Sequence, residues 1–183
     1  MQQLSEKIDR VREVAGKQLQ FFFMNIAGHV CDFAEKDALM AMFTQEYVDE
    51  LTGQDGGAID THMHDEGIAY LPWRSGDFVF EQLMPFFDSE TYSLGIFKGL
   101  VTSSGGLTES TLKASSKTLF KYLSNMKGDI AKKSGFIRKL NTIYADNLRD
   151  ERVTIPLMKT FEMLLESGYL SENELCADLK EVH

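Results

Sequence analysis

Three stretches of this 183-residue chain carry side chains whose type and spacing suggest chemistry. The first is His62-Met63-His64-Asp65-Glu66, where two imidazoles and two carboxylates lie close enough in sequence to suggest a metal. Histidines two apart point to opposite sides of a strand and sit about 200° apart on a helix, so neither element brings both onto one ion. The surrounding glycines and polar residues favour a solvated loop, and no metal ligand is assigned. The second stretch, Ser103-Ser104-Gly105-Gly106-Leu107-Thr108-Glu109-Ser110, has the glycine and hydroxyl content of a phosphate loop. It lacks the lysine before Ser or Thr, follows no strand, and puts Glu109 where an anion would approach. A turn between helices accounts for it: the double glycine can enter the left-handed region, and Thr108 or Ser110 can cap the next helix.

The third stretch is Asp146-Asn147-Leu148-Arg149-Asp150-Glu151-Arg152, where five charged side chains gather in one bend between helical segments. Capping and ion pairs between repeats explain such a bend, and exposed pairs of this kind contribute under ~1 kcal/mol. The alternative is a partner contact through Asp146, Asn147, Arg149, Glu151 and Arg152, since a repeat array presents its bends along one edge. There is no GxSxG and no HExxH, and Cys31 and Cys176 have neither CxxC spacing nor a histidine that sequence ties to them. The chain therefore reads as a non-enzyme without a cofactor, its two thiols free in a reducing compartment.

The elements that position these stretches are helical. Leu4, Ile8, Val11, Val14, Ala15, Leu19, Phe22 and Phe23 recur at the period of one long first helix. Asp32 is placed to cap a second segment through Ala38–Phe43, which Tyr47, Val48 and Leu51 can extend. From Thr52 to Gly76 the periodicity fails, and a polar, glycine-punctuated connector ends in Ile68, Tyr70, Leu71 and Trp73. Trp73, the one tryptophan, reads as an anchor of that connector, with a partner contact as the alternative. Asp77 precedes a short helix that Pro85 ends or kinks, and Ser89 starts another with Leu94, Phe97, Leu100 and Val101 inward. Leu112, Leu119, Phe120, Leu123 and Met126 mark the next. A helix opening at Ser134 or Gly135 carries Phe136, Ile137, Leu140, Ile143, Tyr144 and Leu148. Another, starting near Thr154 with Pro156 in its first turn, turns Leu157, Met158, Phe161, Leu164 and Leu165 inward and ends at Gly168. Ser171 and Glu174 form a capping box for a last segment. No period-2 strand of useful length appears. The expected fold is all-α, with antiparallel helix pairs stacked as HEAT/armadillo-like repeats: N-terminal helices over 1–51, an irregular connector over 52–76 and a helical-repeat core over 77–183.

Composition narrows the function classes. A 43% hydrophobic and 26% charged chain is an ordinary globular protein, not a disordered one. A net charge of −9 argues against general nucleic-acid binding, because Lys127–Lys133 with Arg138 and Lys139 is short and broken by Asp129. Leu19–Val30 is interrupted by Gln20, Asn25 and His29 and falls short of the roughly 18 apolar residues of a membrane span. With no basic and apolar leader at the start, the expected location is cytoplasmic.

Two longer motifs, GLVTSSGGLTESTLKASSKTLFKYL and IYADNLRDERVTIPLMKTFEMLLESG, resemble the C-terminal region of tubulin-folding cofactor D, the tubulin-specific chaperone D family. The likeness spans Phe78–Gly168, and SEKIDRVRE at Ser5–Glu13 is similar to the helix that opens that region. It implies part of a large helical-repeat chaperone that binds β-tubulin. Such a protein works with other tubulin-folding cofactors and an Arf-like small GTPase on assembly of the tubulin heterodimer, and stimulates GTP hydrolysis by tubulin. A cytoskeleton-associated location is implied with it. The other expectation is a structural module that caps a helical-repeat scaffold and touches no partner. An array cut at its ends exposes apolar faces, the Phe-rich first helix among them, so self-association is expected.

Overall fold

The computed structural model describes residues 1–26, 32–43, 70–105 and 109–179, with side chains to Leu175 in the last stretch. Every regular element among them is helical: α1 (Asp9–Asn25), α2 (Lys36–Ala41), α3 (Gly76–Leu83), α4 (Ser93–Ser104), α5 (Glu109–Asn125), α6 (Ile130–Asp146), α7 (Glu151–Glu166) and α8 (Glu172–Leu179). A 3-10 turn at Gln2–Ser5 precedes α1, and another at Met84–Phe86, with Pro85 in it, follows α3. The chain is all-α, as a helical-repeat solenoid fragment requires. The expected extension of α2 through Tyr47, Val48 and Leu51, the His62–Glu66 cluster, Cys31 and most of the 52–76 connector lie outside the described residues.

The fold is arranged around α4. It packs against the first 3-10 turn, α5, α6 and α7, touching its own neighbour in sequence and the next helix pair, as stacked pairs do. A helix apolar on several sides must be buried on several sides. Ile96, Phe97, Leu100 and Val101 are fully buried, and so is Ser103. Phe97 meets Phe87 at 4.9 Å and Phe136 at 5.1 Å between ring centroids, which joins α4 to α6. Small residues let the backbones close in. A Cβ at Gly99 would overlap Ser5, and one at Gly105 would overlap Pro156.

The sequence period misplaces several boundaries. The first helix is not continuous from Leu4: Glu6 and Ile8 are extended, because Ser5 is drawn under α4, where Ser103 Oγ donates to Ser5 O at 2.7 Å. Gly105 has φ −90°, so it is no left-handed cap; its missing side chain makes room for Pro156 instead. Gly106 lies outside the described residues. Helix α6 starts at Ile130 because Asp129 accepts from Lys132 N at 2.9 Å, which leaves Ser134 and Gly135 inside it. Helix α7 starts at Glu151, capped by Asp150, and Pro156 lies in its interior. Ser75 rather than Asp77 caps α3, and Glu35, left-handed at φ 56°, precedes α2 where Asp32 was expected. Gly168, at φ +72°, does end α7, and the Ser171–Glu174 box forms with Ser171 N donating to Glu174 at 2.8 Å.

The buried stripe of α1 is Arg12, Gly16, Gln20 and Phe23, while Ile8 and Val14, expected inward, are exposed. This largely polar stripe holds the chain that leads into α3. Gln20 Oε1 accepts from Leu71 N at 3.0 Å and from Trp73 Nε1 at 2.9 Å. Arg12 donates to Glu6 O at 2.6 Å and Arg74 O at 2.8 Å, pairs with Asp9 at 2.5 Å, and lies over the Phe80 ring. Trp73 is 1% exposed against Gly16, so it is the anchor and not a partner contact.

Two consequences are measurable. Gly105→Val overpacks the α4–α7 contact and is expected to cost about 2 kcal/mol or more, lowering the melting temperature by about 5 °C. Gln20→Leu orphans two buried donors and is expected to cost about 3 kcal/mol by denaturant titration, with loss of the protected Trp73 fluorescence. The α8 cap supplies a pH dependence. The hydrogen bond from Lys133 holds the Glu174 carboxyl below its ordinary range, burial opposes this, and the bonds from Ser171 add to it. A depressed acid stabilises the fold above its unfolded pKa and loses that contribution as pH falls through its folded value. The melting difference between the chain and Glu174→Gln is therefore expected to shrink below pH 4.5.

Candidate partner-binding surface

The bend between α6 and α7 joins the last two long helices. Residues 147–150 reverse the chain, with Asp150 N donating to Asn147 O at 2.8 Å. Two side chains fix the corner. Asn147 accepts from Lys98 Nζ of α4 at 2.8 Å and donates to Ile143 O at 2.7 Å, so it ties the bend to the central helix. Asp150 Oδ1 accepts from Arg152 N at 3.0 Å, satisfying one of the free N–H groups that begin α7.

These three hydrogen bonds absorb Asn147 and Asp150 structurally. Asp146, Arg149, Glu151 and Arg152 are exposed and make no ion pair among the described residues. Of the five site residues expected from sequence, Asn147 is thus a positioning residue, and the other four stand free on a rigid corner. Charges without internal partners on a held backbone are available to an external partner, at the cost of ordering their side chains alone.

Sequence reasoning missed the apolar surface beside them. Leu148 is 62% exposed and Met158 45% exposed, although the helical period turned both inward. With Ile155 they line an open groove of about 790 Å³ along α7, floored by Tyr144, Phe161 and Leu165. The signal was an excess: α7 carries Val153, Leu157 and Leu164 on its buried side as well as Ile155 and Met158 on the other, more than one face can bury.

Among the described residues no reactive site is assembled, and the His62–Glu66 stretch lies outside them. Ser103 donates to Ser5 O and Ser104 shares a 2.6 Å bond with Thr160, so the first two hydroxyls of the stretch that suggested a phosphate loop are spent inside the core, while Ser110 is exposed inside α5 and Thr108 lies outside the described residues. Among the described residues no group of His, Cys, Asp and Glu is placed to hold a metal, and no helix is long and apolar enough to cross a membrane. The basic run is dispersed: Lys132 faces Asp88 at 3.6 Å, Lys133 pairs with Glu174 at 2.7 Å, and Lys139 turns in to Phe87 O at 2.9 Å. Burial lowers the pKa of Lys139, an effect that Asp88 opposes.

The stacked helices and their unpaired corner charges define a helical-repeat scaffold, the class to which the fold belongs. The model of the tubulin folding cofactor D C-terminal family matches residues 1–180, and the chain belongs to that family. Its role is accordingly that of a tubulin-folding chaperone. The match extends well beyond the two motifs, reaching α1 and the residues on either side of the connector. No solved structure matches the chain.

The division of labour in the bend is testable by thermal melting. Asn147→Ala removes the tie to Lys98 and is expected to cost about 1 kcal/mol. Arg149→Ala with Arg152→Ala is expected to stay within about 0.5 kcal/mol of the parent.

Proposed function

We propose that this chain acts in tubulin folding by binding, with no active site of its own. It contacts β-tubulin or co-chaperones, among them other tubulin-folding cofactors and an Arf-like small GTPase, during assembly or disassembly of the heterodimer. Stimulation of tubulin's GTP hydrolysis belongs to the larger complex: the chain supplies contacts, and the reacting groups are those at tubulin's own nucleotide. Such work places it in the cytoplasm, in association with the cytoskeleton. The observation that carries this reading is the quartet Asp146, Arg149, Glu151 and Arg152, free of internal ion pairs on a corner that Asn147 and Asp150 hold rigid.

The test is binding of purified tubulin dimer to the chain, measured beside the Arg149→Ala/Arg152→Ala variant. A loss of about tenfold or more in affinity at an unchanged melting temperature is expected. Equal binding by parent and variant overturns the role of the corner. No binding by either leaves the second reading, a module that caps a helical-repeat scaffold. The internal use of Asn147 and Asp150, two of the six polar side chains of the bend, is what favours that reading.

A further inference from the structure

The groove along α7 has a graded character. Its end near the bend is apolar, formed by Leu148, Ile155 and Met158, its middle carries Lys159, and its far end carries Glu162 and Glu166, which leaves that end with an excess of negative charge. These carboxylates stand four residues apart on one face, in the last turns of a helix that has no basic residue there. Like charges at that spacing repel, and the negative end of the helix dipole disfavours both. Neither forms an ion pair among the described residues. The groove thus calls for an elongated ligand, apolar at one end and cationic at the other.

The chain carries such a ligand on its own surface. Arg10, Val14 and Phe21 of α1 fall within about 40° of one another around the helix. Val14 is 56% and Phe21 36% exposed. Arg10 is exposed and has no ion pair among the described residues, whereas its acidic neighbours are engaged, Asp9 by Arg12 and Glu13 by Lys17. From Arg10 to Phe21 and from Ile155 to Glu166 are both eleven residues. Each span is about 17 Å at the helical rise. Laid antiparallel, α1 sets Phe21 over Ile155 and Met158, and Arg10 beside Glu162 and Glu166. The positive N-terminus of α1 then meets the carboxylates at the end of α7.

We infer that the α7 groove receives the outer face of α1 from a second copy of the chain, giving a head-to-tail association. Formed once between two copies, the contact is heterologous, and a bound pair still offers one free groove and one free α1 face. A single helix in an open groove covers less than the ~1,600 Å² of a standard interface, so the association is weak and rises with concentration. It uses neither Arg149 nor Arg152, and its failure leaves the proposal for the bend untouched.

Sedimentation of the full chain from about 10 μM to about 1 mM tests this. The parent is expected to shift from monomer towards dimer and larger species, and Phe21→Asp and Met158→Asp each to remain monomeric with melts close to the parent. An equimolar mixture of the two variants is expected to form dimer and nothing larger, since only one intact groove and one intact α1 face remain per pair. If either variant melts early, Arg10→Glu replaces it. That change is expected to weaken association about tenfold, and adding Glu162→Lys and Glu166→Lys to the same chain is expected to restore it. A parent that stays monomeric throughout, a variant that associates like the parent, or a mixture that stays monomeric overturns the inference.

Discussion

Everything in this structure depends on how closely other backbones approach α4. The helix is covered by the first 3-10 turn on one flank and by α7 on another, and at both contacts the approach is possible only because a side chain is missing, at Gly99 and at Gly105. Close approach excludes water, so hydroxyls in the contact must find partners within it. Ser103 does so on Ser5 O and Ser104 on Thr160, while Thr102 turns to its own helix. Pro156 fits the same logic. It cannot donate within α7 and deprives the carbonyl four residues earlier of its helical partner, yet it presents a flat, buried surface to Gly105. Thr160 closes the arrangement by donating to Pro156 O at 3.0 Å.

A second constraint joins α1 to the rest. Arg12 and Gln20 are buried charged and polar groups, which cost free energy unless their hydrogen bonds are met. They are met mostly by backbone, by the carbonyls of Glu6 and Arg74 and the N–H of Leu71, groups that an extended segment would otherwise leave unpaired. The clamp is imperfect, since Arg12 Nε has no partner. Replacing one clamp residue leaves its partners stranded, which is why such groups confer geometry more than net stability. The geometry in question is the entry angle of α3, and through it the stack that carries the α6–α7 corner.

The outer surface follows from this interior. Because α4 draws α7 in through Pro156, Leu157 and Leu164, the opposite side of α7 is left to solvent with Ile155 and Met158 on it. The bend that links α6 to α7 is locked from within by Asn147 and Lys98. A locked corner with free charges suits protein recognition, and the neighbouring groove and the outer face of α1 are open apolar surfaces. In a helical-repeat protein, open apolar faces are where the next repeat or the next molecule docks.

The sequence by itself determined that the chain is all-helical, where most helices fall, that the Ser171–Glu174 box and Gly168 punctuate the last turn, and which family the motifs belong to. These are local matters: an apolar period, a capping side chain and a residue free to turn left-handed act over a few positions. It also marked the charged bend, because charge density is visible in one dimension. Only the tertiary structure decided that Arg12 and Gln20 are inside while Val14 is outside, that Gly105 serves Pro156 rather than a left-handed turn, and that Asn147 belongs to the fold while Arg149 and Arg152 stand free. Leu148 and Met158 fit the helical period as well as any core residue does. The physical reason is that burial depends on which face a distant element covers. Gln20 meets Trp73 across 53 positions and Ser103 meets Ser5 across 98, separations over which no local pattern carries information.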